Sequence, residues 1–203
     1  MTKSPRPNSR PRPRQYTAGA LVVSAFILIA LLFVQRERNA IKEREAFTPS
    51  RPPAPPVRWE RVKLPMMNAS AELPGPVETE RKDAQLAGLT LTIHAISGYD
   101  RGLMCVFGHI EFPPDVPLAS PEETARIAPE WMRAMSGATV VSSYPITWRG
   151  RPAVEIIARL DNLQCTARIT VVGRRAVTAH AASRVLANYG AEMRRFFESV
   201  EIE

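Results

Sequence analysis

Alternating apolar and polar positions over residues 57–203 predict a domain built mainly of β-strands. The stretch LTLTIHAI, residues 89–96, is apolar at every second position. In QCTARITVV, residues 164–172, the same period predicts an inward set (Cys165, Ala167, Ile169, Val171) and an outward set (Gln164, Thr166, Arg168, Thr170). MCVFGHIEF, residues 104–112, is apolar on both faces and therefore predicts a buried strand.

Short turns between the later strands predict antiparallel hairpins. Arg149-Gly150, Asp161-Asn162 and Gly173-Arg174 each separate two strand-like stretches by about two residues. Connections this short do not allow parallel strands, which need a long crossover. An earlier turn is predicted at Pro74-Gly75-Pro76, and a loop is predicted over SGYDRG, residues 97–102.

Two helices are predicted around this sheet. Ser120 and Pro121 form a favourable helix start, followed by an apolar stripe at Ile127, Trp131 and Met135. A second helix is predicted over residues 184–199, with a core-facing stripe (Leu186, Tyr189, Met193, Phe196, Val200), Phe197 at its edge and VEIE as a short closing strand. The predicted fold class is α+β, with an antiparallel sheet of about seven or eight strands flanked by these central and C-terminal helices.

One transmembrane helix is predicted to precede the domain. Residues 17–34 contain no charged residue, and as a helix they would be about 27 Å long, close to the thickness of a bilayer core. A cleaved signal peptide is the alternative, but its apolar region is usually about 7–15 residues and ends at a small-residue cleavage site. The run is longer than that and no such site follows it, so a retained single-span anchor is favoured.

The segments on either side of the predicted span set its expected orientation. Residues 1–16 carry five Lys or Arg and no acidic residue, which predicts a disordered, cytoplasmic leader. Residues 35–56 are first charged and then proline-rich, as expected of a spacer. The predicted location is the inner (cytoplasmic) membrane, with residues 57–203 on the periplasmic or extracellular side.

The net charge of +7 belongs to the N-terminal segment. Residues 1–51 hold ten of the 27 basic residues and three of the 20 acidic ones, which leaves the remainder neutral. A nucleic-acid-binding domain needs a basic face, so no nucleic-acid partner is expected. The predicted partners are the membrane and another envelope protein.

The sequence contains few candidates for chemistry. It has no P-loop, nucleophile-elbow, metalloprotease or Cys-x-x-Cys motif, and we predict no catalytic residue, cofactor or metal. Cys105 and Cys165 lie in predicted strands and are either a disulfide or two buried thiols. Cys105 and His109 share a strand face but lie too far apart, at about 13 Å, to bind one metal ion. His94 and His180 are interpreted as polar-face residues.

Tyr99, Asp100 and Arg101, in the predicted loop, are the candidate binding residues. Loops carry binding residues more often than strands do. The alternative is that the neighbouring Asp100 and Arg101 only stabilise their own turn.

The order of several short motifs resembles the PsbP-like fold, which includes extrinsic photosystem proteins and the bacterial lipoprotein DcrB. Trp59 in an opening strand is followed by Leu73-Pro74-Gly75, then by WRGRPAVEI, residues 148–156, and ARITVVGRRAVTAHA, residues 167–181. The closing RRFFESVEI, residues 194–202, looks like that family's ending. The resemblance covers residues 57–203 and implies an antiparallel sheet flanked by helices, without a shared catalytic set.

Together these observations predict a membrane-anchored, non-catalytic binding or assembly module. The alternative is an envelope enzyme with a noncanonical site, which would need polar groups that converge in a pocket.

Overall fold

The computed structural model describes residues 56–86, 89–114, 116–126, 130, 138–184 and 189–203. Residues 121–126 are helical, and a C-terminal helix spans Gly190–Ser199. The described residues form ten strands: β1 Trp59–Lys63, β2 Ala69–Pro74, β3 Val77–Leu86, β4 Leu89–Asp100, β5 Leu103–Glu111, β6 Thr139–Trp148, β7 Arg151–Leu160, β8 Leu163–Val172, β9 Arg175–Arg184 and β10 Glu201–Ile202.

Seven of these strands form one antiparallel sheet in the order β3-β4-β5-β9-β8-β7-β6. Each neighbouring pair except β5 and β9 is a hairpin between consecutive strands. Three of the tight turns place a non-glycine residue at positive φ, namely Arg101, Arg149 and Asp161. This conformation matches the twist of two-residue hairpins, so the local turns determine the register of the sheet.

The remaining strands form a small sheet in the order β1-β2-β10. The main sheet, with seven strands, agrees with the predicted sheet of about seven or eight, whereas the separate pairing of β1, β2 and β10 was not predicted. Both pairs, β1 with β2 and β10 with β2, are antiparallel. The mostly antiparallel α+β class predicted from the sequence is confirmed.

Both faces of the seven-stranded sheet are covered. Face 1, which carries Val106 and Ile110, packs against the segment that contains Phe112, Val116 and Ala125. Face 2, which carries Cys105, Phe107 and Ala179, is covered by β1, β2, β10 and the C-terminal helix, which we call the covering layer. The covering layer contributes these buried apolar residues: Val62, Leu64, Ala69, Ala71, Leu73, Phe196, Phe197 and Val200.

Two-sided burial corrects the predicted orientation of β8. Thr170, predicted to point outward, is only 2% exposed, whereas Val171, predicted to point inward, is 36% exposed. The Thr170 hydroxyl donates a hydrogen bond to the Pro152 carbonyl at 2.8 Å, which satisfies the buried hydroxyl.

The C-terminal helix begins later than predicted. Residue 184 is the last residue of β9, and the helix starts at Gly190. Phe196 is fully buried as expected, and Phe197, predicted at the edge of the stripe, is only 5% exposed. The predicted closing strand is confirmed as β10.

The start of the central helix agrees with the prediction. The Ser120 hydroxyl accepts a hydrogen bond from the Glu123 amide at 3.2 Å, as an N-cap residue does. The predicted stripe at Ile127, Trp131 and Met135 lies outside the described residues, as do residues 1–55 with the predicted leader, span and most of the linker. Within the described part of the chain, no helix combines the length and the apolar character needed to cross a membrane.

Candidate functional site

An open groove of about 600 Å³ lies between the C-terminal helix and the small sheet. Gly190 and Ala191 line it at the first turn of the helix, and Arg61 and Glu72 line it from β1 and β2. The remaining lining residues, Arg194, Arg195, Glu198 and Ser199, follow on the helix. The groove is therefore a charged surface formed by two elements of the covering layer.

A network of ion pairs fixes one wall of this groove. Glu72 accepts from Arg195 at 2.9 Å and lies 3.8 Å from Arg61, which also pairs with Glu201 at 3.0 Å. The Arg195 guanidinium lies 4.7 Å from the centre of the Trp59 ring, a cation–π contact. Because each arginine has two partners, both guanidinium groups are held in defined positions.

Hydrogen bonds that involve the Ser70 and Ser199 hydroxyls complete this wall of the groove. The Ser70 hydroxyl donates to Glu201 at 2.9 Å, and this bond, together with nearby Arg61, lowers the pKa of Glu201 below its ordinary value. The Ser199 hydroxyl accepts from the Glu72 amide at 2.8 Å. These bonds connect β2 to β10 and β2 to the C-terminal helix, so they hold the two sides of the groove together.

Arg194 differs from the other two arginines of the groove. Its side chain is exposed, and it forms no ion pair with another described residue. Its guanidinium is therefore able to bind a carboxylate or a backbone carbonyl, and Arg194 lies one helical turn beyond Gly190. The described residues that line the groove offer charged and polar contacts, and among them no nucleophile lies beside a base.

The structure places the predicted binding residues in a tight hairpin, so the prediction of a loop over residues 97–102 was wrong. Tyr99 and Asp100 end β4, and Arg101 occupies the turn at φ +50°. Arg101 and Asp100 form an ion pair at 3.1 Å, and the Arg101 carbonyl accepts a hydrogen bond from the Tyr189 hydroxyl. Asp100 and Arg101 thus stabilise their own turn and fix the residue that precedes the C-terminal helix.

Cys105 and Cys165 are free thiols, so the disulfide alternative is not what the structure shows. Cys105 pairs across β9 with Ala181, and Cys165 pairs with the adjacent Ala182, so the two side chains point to opposite faces. With β9 between them, their Cα atoms are about 9–10 Å apart, beyond the roughly 7 Å limit of a disulfide. Burial raises the pKa of both thiols, that of Cys165 to about 12.

All three histidines are buried, which corrects the interpretation of His94 and His180 as polar-face residues. Their exposed fractions are 7% for His94, 0% for His109 and 3% for His180. His94 and His109 are directly opposite each other on β4 and β5, and their rings stack on face 2 with centroids 4.8 Å apart. Burial lowers the pKa of His180, on face 1, to about 3.

A polar cluster that sequence reasoning missed lies beside the helix on face 2. Tyr144, Glu155 and Arg168 are cross-strand neighbours on β6, β7 and β8. Glu155 accepts from the Tyr144 hydroxyl at 2.5 Å and from Arg168 at 2.7 Å, and Arg168 also lies 4.6 Å from the Phe197 ring centre. The bond to Glu155 raises the pKa of Tyr144 above its ordinary value. Only the register of three strands could have revealed this cluster.

No three His, Cys, Asp or Glu side chains converge into a possible metal site within the part of the chain that the structure describes. The described residues form an antiparallel α+β domain that carries a charged groove on its covering layer.

Comparison with solved structures identifies this architecture as the PsbP-like fold. The solution structure of cyanobacterial PsbP (CyanoP) from Synechocystis sp. PCC 6803 superposes with a TM-score of 0.53 at 10% sequence identity. The match covers 76% of this chain and 98% of that chain. No protein-family model matches the sequence. No curated protein matches it either. At this identity the likeness concerns the fold, and the fold predicted from the sequence motifs is confirmed.

Proposed function

We propose that this protein is a single-pass, membrane-anchored extracytoplasmic protein whose PsbP-like domain is a non-catalytic binding or assembly module. Its partner would be another protein of the envelope, and the domain would bind it through the groove between the C-terminal helix and the small sheet. The observation that carries the proposal is the groove itself. It is open, has a volume of about 600 Å³, and is lined by arginines and a glutamate that are held by ion pairs.

The positions of the titratable side chains support a binding role over catalysis. The three histidines and Cys105 are buried within the two packed faces, so a substrate at the surface does not reach them. The charged groove residues are well suited to polar protein contacts, because arginine and aromatic residues such as Trp59 often dominate interface energetics. The anchor and its orientation rest on the uncharged stretch at residues 17–34 and the basic leader before it.

Site-specific photocrosslinking in the native membrane tests this function. A photoreactive residue at Ala191, in the groove, is expected to form one reproducible adduct with an envelope protein. The same residue at Arg126, in the helical segment at 121–126, is the control and should form no such adduct.

The adduct should also depend on the groove charges. Arg194→Glu is expected to abolish crosslinking from Ala191, whereas Arg194→Lys, which keeps the charge, should retain most of it. Equal adducts from positions 191 and 126, or an adduct that persists in Arg194→Glu, would contradict binding through the groove.

A further inference from the structure

His109 is a titratable group buried without hydrogen-bond partners. Its side chain is fully buried on face 2, and neither ring nitrogen contacts a donor or acceptor among the described residues. His94 stacks on it from the neighbouring strand, with ring centroids 4.8 Å apart and planes inclined by 21°. We call these two residues the histidine pair. Neutral rings tolerate this arrangement, but two imidazolium ions at this separation repel each other.

Charged groups of both signs lie around the histidine pair on face 2. Arg175 on β9 lies close enough to disfavour protonation of His109, and Arg81 on β3 is directly opposite His94. Two acidic groups lie on the same face: Glu111 on β5, which pairs with Arg175 at 3.5 Å, and Asp83 on β3, which accepts a hydrogen bond from the Thr92 hydroxyl at 2.8 Å. Both carboxylates are therefore already engaged, and neither ring nitrogen of His109 has a hydrogen-bond partner among the described residues.

Among the described residues, no side chain of the covering layer forms a hydrogen bond with either ring nitrogen of His109. The residues that it buries against face 2 are apolar, among them Leu64, Ala71 and Phe196. Near Arg175 the layer is held by a hydrogen bond from that guanidinium to the Met66 carbonyl at 2.9 Å. Water could reach protonated rings only after this layer moves away from the sheet.

The two strands of the pair are held more firmly than the layer above them. β4 is hydrogen-bonded to β3 and β5, and β5 is hydrogen-bonded to β4 and β9, so both have ladders on each side. The covering layer instead contacts face 2 mainly through side chains. Charge on the rings thus weakens the side-chain packing before it breaks the ladders.

We propose that the histidine pair is an acid-sensitive switch, in which protonation of His109 releases the covering layer from face 2 while the seven-stranded sheet stays folded. The proposal goes beyond the proposed binding role, because it assigns a conformational response to pH to the layer that forms the groove. The direction follows from burial: His109 has its pKa lowered to about 4, so acid favours the open form, in which the rings are hydrated.

The two cysteines provide a reporter and an internal control for this opening. Cys105 lies on face 2 opposite Gly98, against which the end of β2 packs, whereas Cys165 lies on face 1. The experiment uses two single-cysteine forms of the full-length protein in mild detergent, Cys165→Ala and Cys105→Ala. Each form is labelled with 4,4′-dithiodipyridine at pH values from 7 to 3.5. Rates are divided by those of a free thiol at each pH.

Selective exposure of Cys105 is the expected result. Its corrected rate should rise at least tenfold between pH 7 and pH 4, while that of Cys165 changes less than twofold. His109→Leu should remove most of the rise, and His94→Leu provides a second test if the first variant folds poorly. His180→Leu removes a buried histidine on the other face and should leave the rise intact.

Three results would overturn the proposal. The first is an equal acceleration of both cysteines, which indicates global unfolding. The second is an unchanged Cys105 rate down to pH 3.5. The third is a full rise in both His109→Leu and His94→Leu. Since none of these measurements involves a partner protein, they stand apart from the test of the groove.

Discussion

At the scale of single residues, Gly98 decides how closely the small sheet approaches the main sheet. A Cβ atom at this position would lie 2.4 Å from the Pro74 carbonyl oxygen and 2.9 Å from the Leu73 Cβ atom. Both are atoms of β2 that cannot move without shifting the strand. Glycine is therefore required at position 98 by close packing and not by an unusual φ angle.

Gly98→Ala is expected to lower the free energy of unfolding by about 1–3 kcal/mol, as overpacking in a core does. Urea denaturation followed by circular dichroism measures the change. Gly150→Ala is the control, because its added methyl group meets nothing within 4 Å and bears only the cost of a positive φ. A Gly98→Ala protein as stable as the unmodified protein would show that β2 can shift at no cost.

His180 predicts how the stability of the domain depends on pH. Its pKa is lowered from 6.5 to about 3, so between these values the unfolded chain binds a proton that the folded chain does not. The free energy of unfolding should thus fall as the pH drops below 6.5, by about 1.4 kcal/mol per pH unit for one such group. His180→Leu should reduce this slope, measured by urea denaturation between pH 6 and pH 4. An identical slope in the variant would argue against a neutral, buried His180.

At the scale of elements, the C-terminal helix is part of the core and not an appendage. Phe196, Phe197 and Val200 pack in the face 2 cluster, and the Arg149 guanidinium from the β6–β7 turn donates hydrogen bonds to the carbonyls of Phe197 and Glu198. A cation at these carbonyls is favourable because they form the negative end of the helix dipole.

Phe196→Ala is expected to destabilise the protein by about 3–5 kcal/mol, and deletion from Phe196 onward to unfold it. Thermal denaturation distinguishes this outcome from simple trimming of a terminus. Arg194→Ala, on the exposed side of the same helix, should change stability by no more than about 0.5 kcal/mol. A deletion variant that still melts cooperatively near the original temperature would contradict the role of the helix.

The sequence predicted the elements better than their arrangement. The two-residue period in β4 and β8 and the turns at Arg149 and Asp161 identified most of the main sheet, because these signals are local. The small sheet escaped prediction because β10 pairs with β2, from the opposite part of the domain. His94 was misread for a related reason: its polar side chain suggested a solvent-facing surface, but the covering layer buries that face.

The groove could not be predicted from the sequence at all. Arg195 and Glu72 are 123 positions apart, and nothing in the local pattern of either residue indicates the other. Charged residues at exposed positions are common, so only the fold distinguishes a fixed network from a solvated surface.

At the scale of the whole molecule, the predicted anchor determines how the protein behaves during membrane extraction. The full-length protein is expected to stay in the membrane pellet after carbonate extraction, because residues 17–34 would span the bilayer. A variant that lacks residues 1–34 should appear in the supernatant with an unchanged circular dichroism spectrum for its domain. Release of the full-length protein by carbonate would exclude an integral span.

Pairing of β2 with both β1 and β10 has a consequence for the order of folding. The hairpins of the main sheet join residues close in sequence, whereas Ser70 and Glu201, which hydrogen-bond in the small sheet, are 131 positions apart. Contacts of large sequence separation form slowly because the chain must first close a long loop. During synthesis, therefore, the hairpins can assemble early, and face 2 stays uncovered until β10 arrives. In that interval the nascent domain exposes apolar surface and depends most on chaperones.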